Sequence, residues 1–140
     1  MNAVDVVQRQ VDAYNARDLR AFLATFSDGI SIYRMPASEP ALKGKAAVAE
    51  FYANERFNLP QLRADILDRI AMGNKVIDHE RIHGVRAAPF EAAAVYEVID
   101  GSSLYENRVQ NADRSRINIP FRLRRPELEQ RFLAFAAASR

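Results

Sequence analysis

A chain of 140 residues with 49% apolar residues, 27% charged residues, 5 glycines and 6 prolines has the composition of one compact soluble domain, which excludes a repeat array, collagen and a disordered tail. The absence of cysteine excludes disulfides, thiolate zinc sites and a thiol nucleophile. The formal charge of +2 is uneven, because residues 1–100 hold 12 Lys and Arg against 14 acids whereas residues 101–140 hold 8 Arg against 4 acids.

Apolar residues at helical spacing dominate the first part of the chain. Val4, Val7, Val11 and Tyr14 recur at three- and four-residue steps and form one apolar stripe. Asp18 is a suitable cap for a second helix. The helices predicted here cover Ala3–Ala16, Leu19–Phe26 and Lys45–Asn54, and a strand over Ile30–Arg34 precedes the third.

The pattern changes to period two after the third helix. Gly73-Asn74 is typical of a tight hairpin turn between two long strands. Strands are predicted over Leu62–Met72, Val76–His83, Phe90–Ile99, Leu104–Gln110 and Ile117–Arg124, and a last helix follows Pro126. In the first of these, Leu62, Ala64, Ile66, Asp68, Ile70 and Met72 are expected on one face. Helices first and long antiparallel strands after predict an α+β domain whose helices cover a strongly curved sheet and enclose a pocket.

Several segments resemble the SnoaL-like proteins of the nuclear transport factor 2-like superfamily. They are AVDVVQRQVDAYNARDLRAFLATFSDGI, SEPALKGKAAVAEFYANERFNLP, GNKVIDHERIHG and AAAVYEVIDG, and together they span residues 3–101. The resemblance implies a cone-shaped curved antiparallel sheet with helices around a pocket, a cystatin-like fold, and commonly a dimer. We therefore expect one SnoaL-like domain over residues 1–140, with a family-like core over 1–101 and an atypical C-terminal extension over 102–140.

The likeness to bacterial ketosteroid isomerase is strongest at VVQRQVDAYNARDL and SEP…EFYAN. That family uses a tyrosine and a protonated aspartate as oxyanion donors and a second aspartate as base, which is a worked example of tuned acidity. The three corresponding positions hold Gln10, Val95 and Arg34. An arginine does not abstract a proton at neutral pH and a valine donates no hydrogen bond, so the isomerase mechanism is not expected here.

Limonene epoxide hydrolase, another member of the superfamily, has an Arg-x-Asp pair on a strand, where this sequence has Arg81-Ile82-His83. His79, Arg81 and His83 share one strand face and, with Asp68, form the candidate catalytic set if that face lines the pocket. The alternatives are that the face meets solvent or a partner subunit, and that Asp68 forms an ion pair with Arg34 or Arg81.

The candidate ligand pocket consists of positions that the resemblance or the strand pattern brings toward the cavity. They are Gln10, Tyr14, Tyr33, Arg34, Val95 and Tyr96. His79 and His83 with a carboxylate lack a recognised zinc spacing, so no metal is assigned. No phosphate-binding loop or nucleophile elbow occurs, and no cofactor is implied.

The expected function is binding of a small, largely apolar organic molecule in the cavity, in a homodimer located in the cytoplasm. An acid–base enzyme, such as an isomerase, cyclase or epoxide hydrolase, and a dimerisation or assembly module remain alternatives. The arginines of the tail are spread through patterned segments with few aromatic residues, so nucleic acid is not an expected partner. No apolar stretch is long enough for a bilayer, and no membrane partner is expected.

Overall fold

The computed structural model describes residues 2–35, 37–99 and, as strand backbone, 103–111. Its sheet has the strand order β2-β1-β6-β5-β4-β3, and all neighbouring pairs are antiparallel except the parallel pair β1–β6. The elements are α1 (Ala3–Ala16), α2 (Leu19–Ala24), β1 (Phe26–Arg34), β2 (Leu42–Lys43), α3 (Lys45–Glu55), β3 (Arg63–Met72), β4 (Lys75–His83), β5 (Phe90–Ile99) and β6 (Ser103–Asn111). The predicted α+β fold is confirmed. The strand predicted over Ile117–Arg124 and the helix after Pro126 lie outside the described residues.

The first two helices are bounded by side-chain caps. At the start of α1, Asn2 and Asp5 form a reciprocal capping box. The helix ends at Arg17, which adopts the left-handed conformation with φ 53°. Asp18 then caps α2 by accepting a hydrogen bond from the backbone N–H of Ala21 at 3.0 Å, as the sequence predicts.

The boundary between α2 and β1 differs from the prediction. The helix ends at Ala24, and the strand begins at Phe26 rather than at Ile30. Phe26 pairs with Leu104 of β6, so pairing with a distant strand extends β1 through residues whose composition favours a turn. The predictions that the second helix extends to Phe26 and that the strand starts at Ile30 are therefore wrong.

The β3–β4 hairpin closes through Gly73 and Asn74, as predicted, with Met72 paired to Lys75. Gly73 has φ +60°, a conformation that costs other residues energy and suits glycine. The turn fixes the register of the hairpin.

A β-bulge at Leu67 divides β3 into two halves. Ile66 pairs with Glu80 and Asp68 pairs with His79, so Leu67 is the extra residue between consecutive partners on β4. An extra residue reverses the faces to which the following side chains point. The expectation that Leu62, Ala64, Ile66, Asp68, Ile70 and Met72 share one face is wrong for this reason, since the bulge separates those before it from those after it.

The three helices pack on one face of the sheet, here called the inner face, which β4 supplies with Val76, Asp78, Glu80 and Ile82. The core on this side contains Val6 and Val7 of α1 and Phe22 of α2, all fully buried, packed with inward residues of the strands. The opposite face, here called the outer face, carries Ile77, His79, Arg81 and His83 of β4.

Asn15 at the end of α1 joins this helix to β3. Its side-chain amide donates to the carbonyl of Ala64 at 2.9 Å, and its side-chain oxygen accepts from the N–H of Ala64 at 2.7 Å. The two bonds fix the helix over the inner face at the point where a cavity opens. No helix in the described part of the chain combines the length and the apolar character that crossing a bilayer requires.

Candidate functional site

A cavity of about 150 Å³ lies between α1, α3 and the inner face. Ala92 and Ala94 form its floor on β5, and their small side chains leave the space unfilled. The residues that line it are Gln10, Val11, Tyr14, Ile32, Arg34, Tyr52, Arg56, Ala64, Glu80, Ile82, Val85, Arg86, Phe90, Ala92, Ala94 and Tyr96. A volume of this order holds a body of about one aromatic ring.

Glu80 is the only acid among these lining residues. It is buried, and the hydroxyl of Tyr96 donates a hydrogen bond to its Oε1 at 3.2 Å. Burial, together with the nearby charge of Asp78, raises the pKa of Glu80 to about 8, although the hydrogen bond from Tyr96 favours the charged form. A carboxyl group with this pKa is mostly neutral at pH 7 and carries one O–H donor.

A buried ion pair lies beside Glu80 on the same face. Arg69 donates to Asp78 through Nε at 2.6 Å and Nη2 at 2.9 Å, and its Nη1 donates to Gln8 of α1 at 2.9 Å. Burial raises the pKa of Asp78 despite this bidentate partner. The pair holds β3, β4 and α1 together and places a carboxylate close enough to raise the pKa of Glu80.

Three tyrosines present phenol groups to the cavity. Burial raises the pKa of Tyr14, of Tyr52 and of Tyr96, so all three remain protonated at physiological pH. Tyr14 and Tyr52 pack edge to face with their ring centroids 6.4 Å apart, and both contact the ring of Phe22. The rings are held in place, and the hydroxyls of Tyr14 and Tyr52 can donate hydrogen bonds, whereas that of Tyr96 donates to Glu80.

Gln10 contributes an unpaired polar atom to the cavity. The residue is 5% exposed, and its Oε1 has no hydrogen-bond partner among the described residues. A buried polar group without a partner costs about 1–3 kcal/mol, so such groups usually meet a ligand or ordered water. Gln10 thus marks a polar contact point in a mostly apolar space.

Arg34, Arg56 and Arg86 also line the cavity, and they are partly or fully exposed. The guanidinium carbons of Arg34 and Arg56 lie 5.2 and 4.9 Å from the ring centroid of Phe51. Arg86 lies over Phe90 at 4.1 Å. We call these three arginines the arginine rim.

Four of the six predicted pocket residues line the cavity, namely Gln10, Tyr14, Arg34 and Tyr96. Tyr33 and Val95 do not, because each alternates with inward neighbours along its strand and lies on the outer face. The position matched to the isomerase's second aspartate therefore lies outside the cavity, and its inward neighbours are Ala94 and Tyr96.

The structure places the predicted catalytic set on the outer face. His79 and Arg81 both lie near Glu91 of β5, at 3.3 and 3.4 Å, and His83 contacts Asp65 of β3 at 3.0 Å. These are cross-strand side-chain contacts on the side of the sheet away from the cavity. The expectation that this face lines the pocket is corrected, because the inner face of β4 is the alternate set containing Glu80.

Asp68 belongs to the same outer face because the bulge at Leu67 precedes it. Its Oδ1 accepts a hydrogen bond from the backbone N–H of Arg69 at 2.8 Å. It pairs in register with His79. Asp68 therefore lies on the outer face and does not line the cavity.

The sequence prediction missed Glu80, Tyr52, Arg56 and Arg86 as lining residues. The available signal was the alternate face of β4, where two acids stand between Val76 and Ile82. Acids between apolar residues on a covered face must be paired or neutral. No group of three metal-ligating side chains occurs within residues 2–35 and 37–99.

A helix-covered curved sheet around an internal cavity defines the cystatin-like, nuclear transport factor 2-like class of proteins. More specifically, the chain belongs to the SnoaL-like domain family, whose model matches residues 7–104. The resemblance predicted from the sequence over residues 3–101 is confirmed.

Solved structures agree with this fold. A cystatin-fold protein from Novosphingobium aromaticivorans has a TM-score of 0.71 at 21% identity, covering 78% of this chain and 97% of its own. A proposed ketosteroid isomerase from Kribbella flavida has a TM-score of 0.68 at 16% identity, covering 86% and 84%. A computationally designed 17-OHP binder has a TM-score of 0.65 at 15% identity, covering 78% and 91%.

A second sequence similarity covers only part of the chain. Over 50 residues, or 35% of its length, this chain is 54% identical to the phosphoserine aminotransferase of Stenotrophomonas maltophilia strain R551-3. The chain spans 14% of the length of that enzyme. This segment is similar to a small part of an aminotransferase, whereas residues 7–104 match the SnoaL-like family.

Proposed function

We propose that this protein binds a small, largely apolar organic molecule of about one ring in its cavity, with an oxygen of the ligand accepting a hydrogen bond from Glu80. The observation that carries the proposal is a buried carboxylic acid facing an otherwise open cavity. A neutral acid in an apolar space is a directional donor for a carbonyl or hydroxyl oxygen.

The shape of the cavity supports an apolar ligand body. Its walls include Val11, Ile32, Ile82 and Val85, and its floor is the alanine pair of β5. Burying apolar ligand surface against such walls contributes about 25 cal/mol per Å². The unpaired Oε1 of Gln10 offers a second polar contact on α1, across the cavity from the sheet.

Titration of the ¹⁵N-labelled protein with acetophenone, a single ring with one carbonyl, tests this proposal. The amide signals of Val11, Ala94 and Tyr96 are expected to shift. Ala94→Leu, which fills the floor, is expected to weaken binding about tenfold or more, equivalent to about 1.4 kcal/mol. The matched control is Ala46→Leu on the exposed surface of α3, which is expected to bind as the unmodified protein does.

The role of the oxygen is tested with ethylbenzene, which lacks it. Glu80→Leu is expected to weaken acetophenone binding by about threefold to tenfold, the range of one neutral hydrogen bond, and not to weaken ethylbenzene binding. His79→Gln and His83→Gln on the outer face are expected to change neither. Unchanged binding in Ala94→Leu, or shifts confined to the outer face, would overturn the proposal.

A second candidate function is an enzyme that moves a proton next to a carbonyl group. The specific observation is that Glu80 has a pKa of about 8 and is hydrogen-bonded to Tyr96, so it can exchange a proton near neutral pH. Ionised Glu80 would take a proton from the carbon beside the carbonyl while the electron pair moves to the carbonyl oxygen. The buried phenol of Tyr14 would donate to this oxygen, since the single O–H of Tyr96 is engaged with Glu80.

Deuterium exchange tests this reaction without knowledge of the natural substrate. Acetophenone in D₂O is expected to gain deuterium at its methyl group in the presence of the protein, with a rate that rises as Glu80 ionises through pH 8. Glu80→Gln is expected to reduce the rate to that of buffer. Equal exchange with the unmodified protein and the Gln variant would exclude this candidate function and leave the binding proposal intact.

A further inference from the structure

The rim of the cavity carries positive charge from three arginines. Arg34 is the last residue of β1, Arg56 directly follows α3, and Arg86 lies in the β4–β5 loop. Three separate segments therefore bring cations to one opening. Among the residues that the structure describes, no carboxylate lies within 4.0 Å of any of these guanidinium groups. The arginine rim thus differs from the outer face, where arginines and histidines lie beside carboxylates.

Two members of the rim are oriented by one aromatic ring. The guanidinium carbons of Arg34 and Arg56 lie 5.2 and 4.9 Å from the centroid of Phe51, so the side chain of Phe51 holds both groups at the opening. A guanidinium over a ring can still donate through its in-plane N–H groups; Arg56 uses Nη1 for the carbonyl of Glu55 at 2.7 Å and retains its other donors. Those donors have the fork geometry that binds a carboxylate through two parallel hydrogen bonds.

The interior of the cavity does not supply a competing negative charge at neutral pH. Its one acid, Glu80, is mostly protonated below its pKa of about 8. The buried Asp78 is paired with Arg69 and does not line the cavity. An anion at the opening therefore meets the rim cations without repulsion from a carboxylate below.

We infer that the ligand carries a carboxylate, which the arginine rim binds at the opening while the apolar body occupies the cavity below. This inference rests on the proposed function, because it assigns a second end to the same bound molecule. The natural ligand class is accordingly an aromatic or alicyclic carboxylic acid, with its charged group about one short chain away from the ring. Arg34 and Arg56 are its principal contacts, since they share Phe51.

The matched pair 3-phenylpropionate and 3-phenylpropanamide tests the inference, because the two compounds share ring and chain and differ in an end group that is an anionic carboxylate in one and a neutral amide of similar size in the other. Calorimetric titration at about pH 6 keeps Glu80 protonated. The acid is expected to bind about tenfold or more tightly than the amide. In the variant Arg34→Gln with Arg56→Gln most of this advantage is expected to disappear, because the acid loses much more affinity than the amide does.

Arg20→Gln, at an exposed position of α2, is the matched control and is expected to retain the advantage of the acid. Added salt is expected to weaken binding of the acid and not of the amide, which tests the charge in the unmodified protein if the double variant fails to fold. Equal binding of acid and amide would overturn the inference while the proposed function stands. Absence of binding by both compounds would count against the proposed function itself.

Discussion

The hydroxyl of Tyr96 donates to Glu80 although the two residues are not paired in register. Tyr96 lies opposite Val76, and Glu80 lies opposite Ala92, so the tyrosine side chain extends along the sheet over Ala94. The small side chains of Ala92 and Ala94 therefore leave space for the cavity and also allow the hydroxyl of Tyr96 to reach Glu80. The pKa of Glu80 depends on this arrangement, and it can be measured.

Glu80→Gln is expected to remove most of a pH dependence of stability. The carboxyl titrates near 4.5 in the unfolded chain and near 8 in the folded protein, so the folded state binds more protons between these values. Stability therefore falls as pH rises from about 5 to about 8, by an amount on the order of a few kcal/mol. Urea unfolding followed by circular dichroism at pH 5 and pH 9 measures it.

In that experiment the Gln variant is expected to be more stable than the unmodified protein at pH 9 and similar at pH 5. Some pH dependence remains in the variant, because the pKa of Asp78 is also raised. Glu50→Gln, at an exposed position of α3, is the control and is expected to follow the unmodified protein. Parallel pH profiles for the unmodified protein and Glu80→Gln would contradict a buried neutral acid.

Tyr96→Phe is expected to raise the pKa of Glu80 further above its ordinary value. The phenol hydrogen bond favours the ionised carboxylate, and its loss removes the largest of the effects that lower this pKa. Titration of the glutamate side-chain carbonyl signals by ¹³C NMR reports the change. The control is Tyr33→Phe on the outer face, which is expected to leave the pKa of Glu80 unchanged. A lower pKa of Glu80 in Tyr96→Phe would contradict the prediction.

Arg69→Met is expected to destabilise the protein by about 3–5 kcal/mol at pH 7, because it leaves the carboxylate of Asp78 buried without its partner. The loss is expected to shrink at lower pH as Asp78 takes up a proton. Adding Asp78→Leu to this variant is expected to recover much of the stability in urea unfolding. Arg81→Met removes a longer, half-exposed contact and is expected to cost less than about 1 kcal/mol.

Gly84→Ala is expected to lower the melting temperature strongly. Gly84 has φ +83°, and a Cβ placed there would lie 2.3 Å from the carbonyl carbon and oxygen of Gln61, which are backbone atoms. Both the conformation and the contact disfavour any side chain. Gly29→Ala is the control, since a methyl group at that position would have no atom within 4 Å, and calorimetry should show little change. Equal melting temperatures for both variants would contradict the close approach.

Local sequence signals predicted the helices and the long strands well. The bounds of α1 and β5 agree with the prediction, because each has a regular apolar period and clear capping or turn residues. The start of β1 could not be predicted in the same way. Its first residues pair with β6, which is nearly eighty residues away in the sequence, and that pairing outweighs the local preference for a turn.

The sequence pattern could not show which face of β4 points toward the helices, and the reason is physical. Each face of β4 begins with a buried aliphatic residue, Val76 at 0% and Ile77 at 1% exposure, and each continues with charged or polar residues, so alternation does not distinguish the face toward the helices. The acids on the inner face are tolerated through Arg69 and Tyr96, partners that only the folded sheet brings near. The cavity was therefore predicted correctly as a feature and incorrectly in its acid–base residues. The homodimer, the cytoplasmic location and the single domain over residues 1–140 remain predictions.

The bulge at Leu67 gives β3 one residue more than its partner strand requires. Deletion of Leu67 alone would leave Ile66 opposite Glu80 and Asp68 opposite His79, so both halves of the strand would keep their faces. Asp65 would stay on the outer face, and Ala64, which Asn15 holds, would stay beside the cavity. A deletion at this position therefore removes the bulge and retains the apolar wall, whereas a deletion elsewhere in the strand that the bulge does not absorb would exchange the two faces. Relatives with this fold could thus lose a residue here without a change in the lining of their cavity.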